Sequence, residues 1–290
     1  MNNEEKTYQY MTAIEKQMDS MLQQDQETYS SVVEAMRYSL LGGGKRVRGI
    51  LTLAACEQVS GSFEQALSAA CAIEMIHCYS LIHDDLPAMD DDNLRRGKAS
   101  CHVQFGEATA ILAGDALLTY AFYALTQIKN KDHAVECVAV LAEAAGHYGM
   151  VLGQEMDIAA EGKKLTAAQL VRMHEKKTGA LIKASAKMGA IIGGADKRTM
   201  GALENYADNI GLAFQIVDDI LDAMSDEKTL GKSTSDADNN KPTGTSTYGV
   251  YQAKNIAKEL TAKAIAAINA EFYNTEYLTA FAKLLMARTK

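Results

Sequence analysis

Two clusters of aspartates are the residues of this sequence whose type and spacing most clearly suggest chemistry. The first lies in SLIHDDLPAMDDDNLRR, residues 80–96, where Asp84 and Asp85 end an apolar helical run and three more aspartates follow. On an ideal helix Asp84 and Asp90 would point about 240° apart around the axis. Pro87 lies between them and disfavours regular helix just before it. We therefore predict a local distortion that brings Asp90 round to Asp84.

The second cluster lies in GLAFQIVDDILDAM, where Asp218 and Asp222 are four residues apart and share one helix face. Carboxylates among such apolar residues are costly to bury unless a cation pairs with them. One such cluster alone is readily explained as a solvated acidic run or a helix end. Two clusters, each on a strongly apolar helix, favour a site for hard cations, and an all-oxygen ligand set favours Mg²⁺ completed by waters and phosphates.

Basic residues that could accompany a phosphate ligand are present in several places. In GGGKRVR, Lys45 and Arg48 follow a glycine turn, and a helix starting there would present both together with its free N–H groups. This is not a P-loop, since Arg46 follows Lys45 and no strand precedes it. His77 lies two helical turns before Asp84. Further candidates are Lys176, Lys177 and Thr178 in a helical run, and Lys232 and Lys241 in a polar loop.

Composition and charge exclude several classes of protein. The 290 residues carry 29 Lys+Arg and 37 Asp+Glu, a net charge of −8, which disfavours a cationic nucleic-acid binder. The 48% hydrophobic content excludes disorder, and two prolines with no tryptophan indicate a largely helical chain. Five cysteines form no CxxC pair and are expected to be reduced core thiols. With no signal peptide and no uncharged apolar stretch of about 18 residues, we expect a cytoplasmic protein without a membrane span.

The elements that must position these residues are predicted to be helices, since sustained apolar/polar alternation is nearly absent. The sequence predicts one all-α domain over residues 1–290, made of about ten helices. A polar stretch at about 225–248 is expected to form a lid-like loop. The predicted helical segments are 4–23, 28–41, 46–60, 64–85, 103–128, 133–160, 166–194, 199–224, 250–272 and 275–288.

The segments SLIHDDLPAMDDDNLRRG, GGGKRVR, HEKKTGALI, GLAFQIVDDILD and LGKS resemble the trans-isoprenyl diphosphate synthases, in particular the bacterial farnesyl diphosphate synthase type. The resemblance implies the isoprenoid synthase fold, an antiparallel helical bundle around a central cavity, and usually a homodimer. It implies Mg²⁺-dependent head-to-tail condensation of isopentenyl diphosphate with dimethylallyl and geranyl diphosphate to give (2E,6E)-farnesyl diphosphate, with three Mg²⁺ ions alongside bound diphosphate.

The same resemblance assigns roles residue by residue. The metal ligands would be Asp84, Asp85, Asp90, Asp218 and Asp222. The isopentenyl diphosphate pocket would hold Lys45, Arg48, His77 and Arg96. The allylic diphosphate would be bound by Arg95, Lys177, Lys232 and Lys241, with Thr178 and Gln215 near the allylic carbon. Asp84, Asp90, Arg95, Lys177, Thr178, Gln215 and Lys232 are the catalytic set, and Gln154 and Asp157 would support the metals from behind.

Tyr79 and Ser80 are the residues that the resemblance connects with product length, because bulk just before the first aspartate motif forms the floor of the chain's tunnel. Tyr79 lies more than one helical turn below Asp84 and is expected to stop growth near C15. The loop after Lys232 departs from the family pattern: it is one residue shorter, Ser235 replaces a common glycine, and Lys241-Pro242-Thr243-Gly244 lacks the usual tyrosine.

The same residues bear on four alternative functions. A geranylgeranyl or geranyl diphosphate synthase differs only in product length. A class I terpene cyclase would usually carry an Asn/Ser/Glu pattern in place of DDILD, and a non-catalytic partner subunit would have eroded aspartate motifs. A purely structural bundle would gain nothing from charged clusters on its most apolar helices.

Overall fold

The structure is a computed structural model that describes residues 1–23, 30–224 and 248–287, without the side chains of 222–224. This part of the chain is almost entirely helical, which confirms the all-α prediction. The α-helices are α1 (Asn3–Met21), α2 (Ser31–Leu40), α3 (Val47–Ser60), α4 (Leu67–Asp84), α5 (Cys101–Phe105), α6 (Glu107–Thr126), α7 (Lys131–Ala145), α8 (Met150–Ala160), α9 (Ala167–His174), α10 (Ala180–Gly193), α11 (Lys197–Met224), α12 (Val250–Asn269) and α13 (Glu276–Met286).

Three short elements complete the described part. A 3-10 turn, Glu64–Ala66, precedes α4, and a π-helix, Glu175–Gly179, joins α9 to α10. The strands β1 (Leu94–Arg95) and β2 (Lys98–Ala99) form a small antiparallel hairpin, with Leu94 opposite Ala99. The sequence did not predict this hairpin, because two residues per strand are too few for any alternation to be visible.

Helix α4 is the centre of the bundle. It packs against α1, α2, α3, α6, α7 and α10. Its residues from Ala69 to Ile76 are all buried, so it has no polar face, as its sequence predicted. Because α4 ends at Asp84, a buried apolar helix leads directly into the first aspartate cluster.

Three predicted segments are divided in the structure. The segment 103–128 is two helices, α5 and α6, which are separated by Gly106 with a φ of 85°. The segment 133–160 is two helices, α7 and α8, since the chain turns at 146–149, where a Cβ on Gly149 would lie 2.0 Å from the Ala144 carbonyl oxygen. The segment 166–194 is interrupted by the π-helix, whose widened turn local periodicity does not predict.

The π-helix is packed backbone to backbone against α8. A Cβ built on Gly153 would lie 2.1 Å from the amide nitrogen of Lys177 and 2.4 Å from its Cα. No side chain fits there, so glycine at 153 is what allows α8 to approach the segment that carries Lys177 and Thr178.

Three helical stretches are long and apolar enough to cross a membrane by length and composition alone: Glu64–Asp84, Glu107–Thr126 and Lys131–Ala160. The search of the sequence for an uncharged apolar stretch of about 18 residues does not find these helices, because each of them includes charged residues. In the first stretch, 67% of the apolar window is buried inside the protein. Packing in the core therefore explains why this helix is so apolar. The second and third windows are only 39% and 33% buried, and so leave apolar side chains on the outer surface.

The contact at Gly153 gives a test of how the π-helix is supported. We expect Gly153→Ala to lower the free energy of unfolding by about 1–3 kcal/mol, because the new methyl group meets backbone that cannot rotate away. The matched control is Gly201→Ala in α11, where nothing lies within 4 Å of the added Cβ. That substitution should raise stability by about 0.5–1 kcal/mol through helix propensity. Urea denaturation measures both, and equal effects of the two substitutions would contradict the packing argument.

Candidate active site

A cavity of about 600 Å³ opens beside the end of α4 and collects predicted site residues from four separate stretches of the chain. This volume lies within the range of pockets that enclose small-molecule ligands. Its lining includes Arg48, His77, Asp84, Lys177 and Thr178. Apolar side chains from α4, the turn after it and α8 form much of the remaining wall, among them Leu81, Met89, Met150, Val151 and Ile158.

The first aspartate cluster is folded back on itself as the sequence predicted. After α4 ends, the Asp90 amide donates a 2.8 Å hydrogen bond to the Asp84 carbonyl oxygen, and the Asp91 amide donates to Leu86 at 3.1 Å. Asp91 reaches this turn with a left-handed φ of 51°. The reversal brings Asp90 next to Asp84, where a straight helix would have separated them.

Asp84 is held where its charge is poorly compensated. Burial, with smaller contributions from the neighbouring Asp90 and Asp85, raises the pKa of its carboxyl to about 6 against the opposing charges of Lys177 and Arg95. At this pKa, Lys177 and Arg95 offset only part of the cost of ionising the carboxyl in its buried position. A cation bound beside Asp84 and Asp90 would supply further positive charge.

Asp85 turns towards Arg95 in this structure. The Arg95 Nε donates to Asp85 Oδ1 at 2.9 Å, its Nη2 also bonds Oδ1, and the same Nη2 lies 3.2 Å from Asp92 Oδ2. Both carboxylates are buried, so the pair depends on these bonds. Asp85 thus supports the site by fixing Arg95. Sequence reasoning missed Asp92, whose signal was its i, i+3 spacing from Arg95.

The π-helix connects to the second aspartate cluster through a line of polar contacts. Thr178 Oγ1 donates to Gln215 Oε1 at 2.7 Å, and Gln215 Nε2 donates to Asp219 Oδ1 at 3.1 Å. The Nε2 of His174 lies 3.5 Å from Asp219 Oδ2. Thr178 and Gln215, which the resemblance places near the allylic carbon, are therefore in direct contact.

His174 and Asp219 are both buried at this site. The sequence analysis assigned neither of them a role. Burial lowers the pKa of His174 to about 4, with Lys177 adding to the effect and Asp157 opposing it, so the imidazole is neutral near pH 7. The available signal was that Gln215 and Asp219 are four residues apart on one helix face. Asp218, the predicted ligand, is half-buried on the same helix.

Lys177 is oriented by α8. Its Nζ lies 2.6 Å from Oδ2 of the buried Asp157, which places the charge at the cavity wall. On the same helix, Gln154 lines the cavity, and its side-chain nitrogen and oxygen are both buried with no hydrogen-bond partner among the described residues. Buried amide groups of this kind normally have a partner, so a polar occupant of the cavity fits this wall.

The basic residues of GGGKRVR are arranged differently from the prediction. Helix α3 begins at Val47, not at Lys45, because Arg46 adopts a left-handed φ of 48° and its buried guanidinium turns towards Glu15 and Glu74, at 3.5 and 3.9 Å. Lys45 is exposed before the helix and does not share a helical face with Arg48. Arg48 is buried and reaches the cavity.

The remaining predicted partners of that pocket lie close by. Burial and the neighbouring Arg48 and Arg96 hold the pKa of His77 well below its usual range, so a neutral imidazole stands among guanidinium groups. Arg96 Nη1 bonds the Gly43 carbonyl, and a Cβ on Gly44 would lie 2.8 Å from the Arg96 guanidinium carbon. The glycine turn is therefore the surface on which Arg96 rests, and the local field suits an anion.

Some predicted residues lie outside the described part: Lys232, Lys241 and the lid-like loop, together with the side chain of Asp222. Tyr79 and Ser80 line the cavity below Asp84.

Within the ranges that the structure describes, no three His, Cys, Asp or Glu side chains form a preassembled metal site. The donor set nevertheless fits Mg²⁺, which proteins usually hold with one or two carboxylates while waters and phosphate oxygens complete the shell. Asp84 and Asp90, which lie together after α4, and Asp218 of α11 are the residues that would hold it. The raised pKa of Asp84 is the local observation that calls for a cation.

Comparison with known proteins identifies the family. The profile of the Polyprenyl synthetase family matches residues 29–279. The chain is 43% identical to a farnesyl diphosphate synthase of Haemophilus influenzae over 98% of each protein, and 45% identical to a geranylgeranyl diphosphate synthase of Cyanophora paradoxa over 89% of this chain and 87% of that protein.

Solved structures agree. An FPP/GFPP synthase from Zymomonas mobilis superposes with a TM-score of 0.88 at 37% identity, covering 99% of each chain. A geranyltransferase from Helicobacter pylori, complexed with magnesium and isoprenyl diphosphate, superposes with a TM-score of 0.85 at 32% identity, over 99% of this chain and 97% of that one. The chain belongs to the polyprenyl synthetase family, and its sequence resemblance to the trans-isoprenyl diphosphate synthases is confirmed.

Proposed function

We propose that this prenyltransferase condenses isopentenyl diphosphate with dimethylallyl and then geranyl diphosphate in the presence of Mg²⁺, giving (2E,6E)-farnesyl diphosphate. The observation that carries the proposal is the meeting of Asp84, Lys177 and Thr178 at one apolar cavity. Charged groups that bind diphosphate there adjoin a wall that keeps water from a carbon cation. That combination is what ionisation followed by alkene capture requires.

The reaction breaks the allylic carbon–oxygen bond, with both electrons leaving on the diphosphate. Lys177 and Arg95 would bind that leaving group, since Asp157 and Asp85 hold each of them in place. The alkene of isopentenyl diphosphate then forms the new carbon–carbon bond, and the released diphosphate takes the proton that is lost. Bound Mg²⁺, which we propose as three ions, supplies positive charge to the departing diphosphate.

Thr178 is suited to the cationic carbon rather than to the diphosphate. Its hydroxyl proton is directed to Gln215 Oε1 at 2.7 Å, which leaves the oxygen lone pairs available to the cavity. The Gln215 amide is in turn oriented by Asp219. An oriented lone pair favours an adjacent positive carbon and does not compete for the diphosphate.

Isopentenyl diphosphate would bind at the other basic group, formed by Arg48, His77 and Arg96 with Lys45 at its edge. Burial keeps the pKa of His77 low, and the positive charges of Arg48 and Arg96 lower it further. Two diphosphates of like charge can occupy one cavity only if each has its own cations, and the chain provides two such groups.

A C15 product is supported by Tyr79, a buried aromatic side chain that lines the cavity five residues before Asp84. The small Ser80 beside it also lines the cavity. Relatives of this chain carry both farnesyl and geranylgeranyl names, so a geranylgeranyl diphosphate synthase is the second candidate. The two candidate enzymes differ only in the distance between the bound diphosphate and the floor of the tunnel that holds the growing prenyl chain.

A homodimer is supported by apolar side chains on the outside of α5 and α6. Val103, Ile111, Leu112 and Tyr123 are between 43% and 55% exposed. An exposed apolar surface on this scale typically covers a partner, and twofold dimers are the commonest assembly. A second copy would also cover the surface that gives α6 its membrane-like hydropathy. The cytoplasmic location stays a prediction from the sequence.

The assigned activity is tested by incubating the protein with Mg²⁺, isopentenyl diphosphate and dimethylallyl diphosphate and sizing the products. We expect Asp84→Asn to reduce condensation at least about 100-fold, since it removes a charge that the cation requires. The matched control is Asp91→Asn, an exposed neighbour in the same cluster, which should stay within about threefold of the unaltered enzyme. Absence of condensation in the unaltered protein would refute the activity.

Product length is tested by shortening Tyr79. We expect Tyr79→Ala to shift the main product from C15 towards C20, because removing the ring deepens the cavity by roughly the length of one isoprene unit. Tyr79→Phe keeps the ring and should keep C15. Chromatography of the dephosphorylated alcohols distinguishes these products, and an unchanged C15 output from Tyr79→Ala would rule out Tyr79 as the floor.

The dimer is tested by placing a charge on α6. We expect Leu112→Arg to halve the mass measured by light scattering on a sizing column, because an arginine at an apolar interface is left without a partner. Tyr251→Arg, on an 82% exposed position of α12, should leave the dimer intact. A monomeric unaltered protein would overturn the homodimer, and an intact Leu112→Arg dimer would place the interface elsewhere.

A further inference from the structure

The Tyr79 ring is packed against an aromatic neighbour on its own helix. His83 lies one turn further along α4, and the two ring centroids are 5.8 Å apart with the planes at 78°. This edge-to-face arrangement is a favourable geometry for aromatic pairs. Both side chains line the cavity. The orientation of the Tyr79 ring therefore depends on where the imidazole is held.

The imidazole is held by α6. The Nε2 of His83 lies 3.1 Å from the carbonyl oxygen of Ile111. A carbonyl oxygen can only accept, so Nε2 carries the proton of this bond. The Asp115 carboxylate lies 4.0 Å from the same nitrogen, on the same side of the ring. These contacts fix both the position of His83 and the atom that bears its proton.

Gly114 provides the space that the imidazole occupies. A Cβ built on Gly114 would lie 2.1 Å from His83 Nε2 and 2.5 Å from its Cδ2, and its three nearest atoms all belong to that ring. Even alanine at 114 would displace His83. The His83 ring thus occupies the space that a side chain at position 114 of α6 would fill, and we call this space the Gly114 socket.

We propose that His83 is a positioning residue for product length, and that Gly114 is the socket that seats it. The inference rests on the proposed function, in which Tyr79 limits the growing chain. A tyrosine ring pressed by a growing prenyl chain could rotate towards α6 if the space there were empty. The imidazole fills that space, so the floor stays closed at the length that Tyr79 sets.

The first test is His83→Ala, read as the ratio of products longer than C15 to C15 itself. We expect this ratio to rise about tenfold or more, where tenfold corresponds to about 1.4 kcal/mol. His83→Phe keeps a ring edge against Tyr79 and should leave the ratio within about twofold of the unaltered enzyme. An unchanged ratio in His83→Ala would overturn the proposal. A ratio is defined at any residual rate, so slower catalysis beside Asp84 does not obscure the result.

A double variant separates a positioning role from a second floor residue. If His83 acts only through the Tyr79 ring, Tyr79→Ala/His83→Ala should give the same product distribution as Tyr79→Ala alone. A further lengthening in the double variant would show that His83 limits the chain by itself, and would overturn the positioning role.

Gly114→Ala provides an independent route that leaves His83 and Asp84 chemically unchanged. It should alter the product ratio of the unaltered enzyme, since the methyl group must move the imidazole, and it should have no further effect in a His83→Ala background. An equal effect in both backgrounds, or none in the unaltered enzyme, would contradict the role of Gly114 as the socket for His83.

The experiments also distinguish a failure of this inference from a failure of the proposed function. Without condensation the function fails, whereas lengthening by Tyr79→Ala but not by His83→Ala overturns only the role of His83.

Discussion

Carboxylates held inside an apolar helical bundle are the constraint on which the rest of this structure depends. A buried carboxylate is stable only with positive or hydrogen-bonded partners. Asp85 is held by Arg95, Asp157 by Lys177, and Asp219 by the Gln215 amide and the neutral His174. Asp84 is the contrasting case, because burial and its acidic neighbours raise its pKa to about 6. The bundle thus fixes its cations with some aspartates and leaves another poised for a charge from outside.

This arrangement explains why an acidic protein can act on polyanionic substrates. The net charge of −8 argues against nucleic acid, yet it says little about a diphosphate, because local placement decides. In the proposed mechanism the acidic groups gather cations, first Lys177 and Arg95 within the chain, and then Mg²⁺ from solution. Arg48 and Arg96, whose charges add to burial in keeping His77 neutral, would provide a second anion-binding surface.

The backbone is also under strain around this site. The non-glycine residues with left-handed φ among the described positions are Arg46, Asp91 and Arg96, and each flanks a group that the site uses. Such conformations are disfavoured by roughly 1–3 kcal/mol and persist where the surroundings enforce them. At Asp91 the strain belongs to the turn that returns Asp90 to Asp84. At Arg46 it delays the start of α3, and at Arg96 it belongs to the hairpin that carries Arg95.

Much of this could be predicted from local pattern. The apolar run of α4 and the break at Pro87 are properties of neighbouring residues, and both predictions are confirmed. The metal site inferred from the two aspartate clusters stays a prediction. The features that the sequence did not predict depend on contacts between residues far apart in the chain. The start of α3 depends on Glu15 and Glu74 receiving Arg46, the π-helix depends on Gly153, and the role of Asp219 depends on His174 from another helix. None of these is visible in the spacing of one segment. Product length is the same kind of problem, since Tyr79 can be recognised in α4 while its support lies in α6.

We propose that the site is completed only when a cation and a diphosphate bind together. Titration calorimetry with Mg²⁺ and inorganic diphosphate tests it most directly, with each ligand added to the protein alone and then to the protein saturated with the other. Linkage requires that each ligand strengthen the other's binding by the same factor. We predict weak binding of Mg²⁺ alone and an affinity increase of at least about tenfold when diphosphate is present. Tight binding of Mg²⁺ to the protein alone, unchanged by diphosphate, would contradict the account.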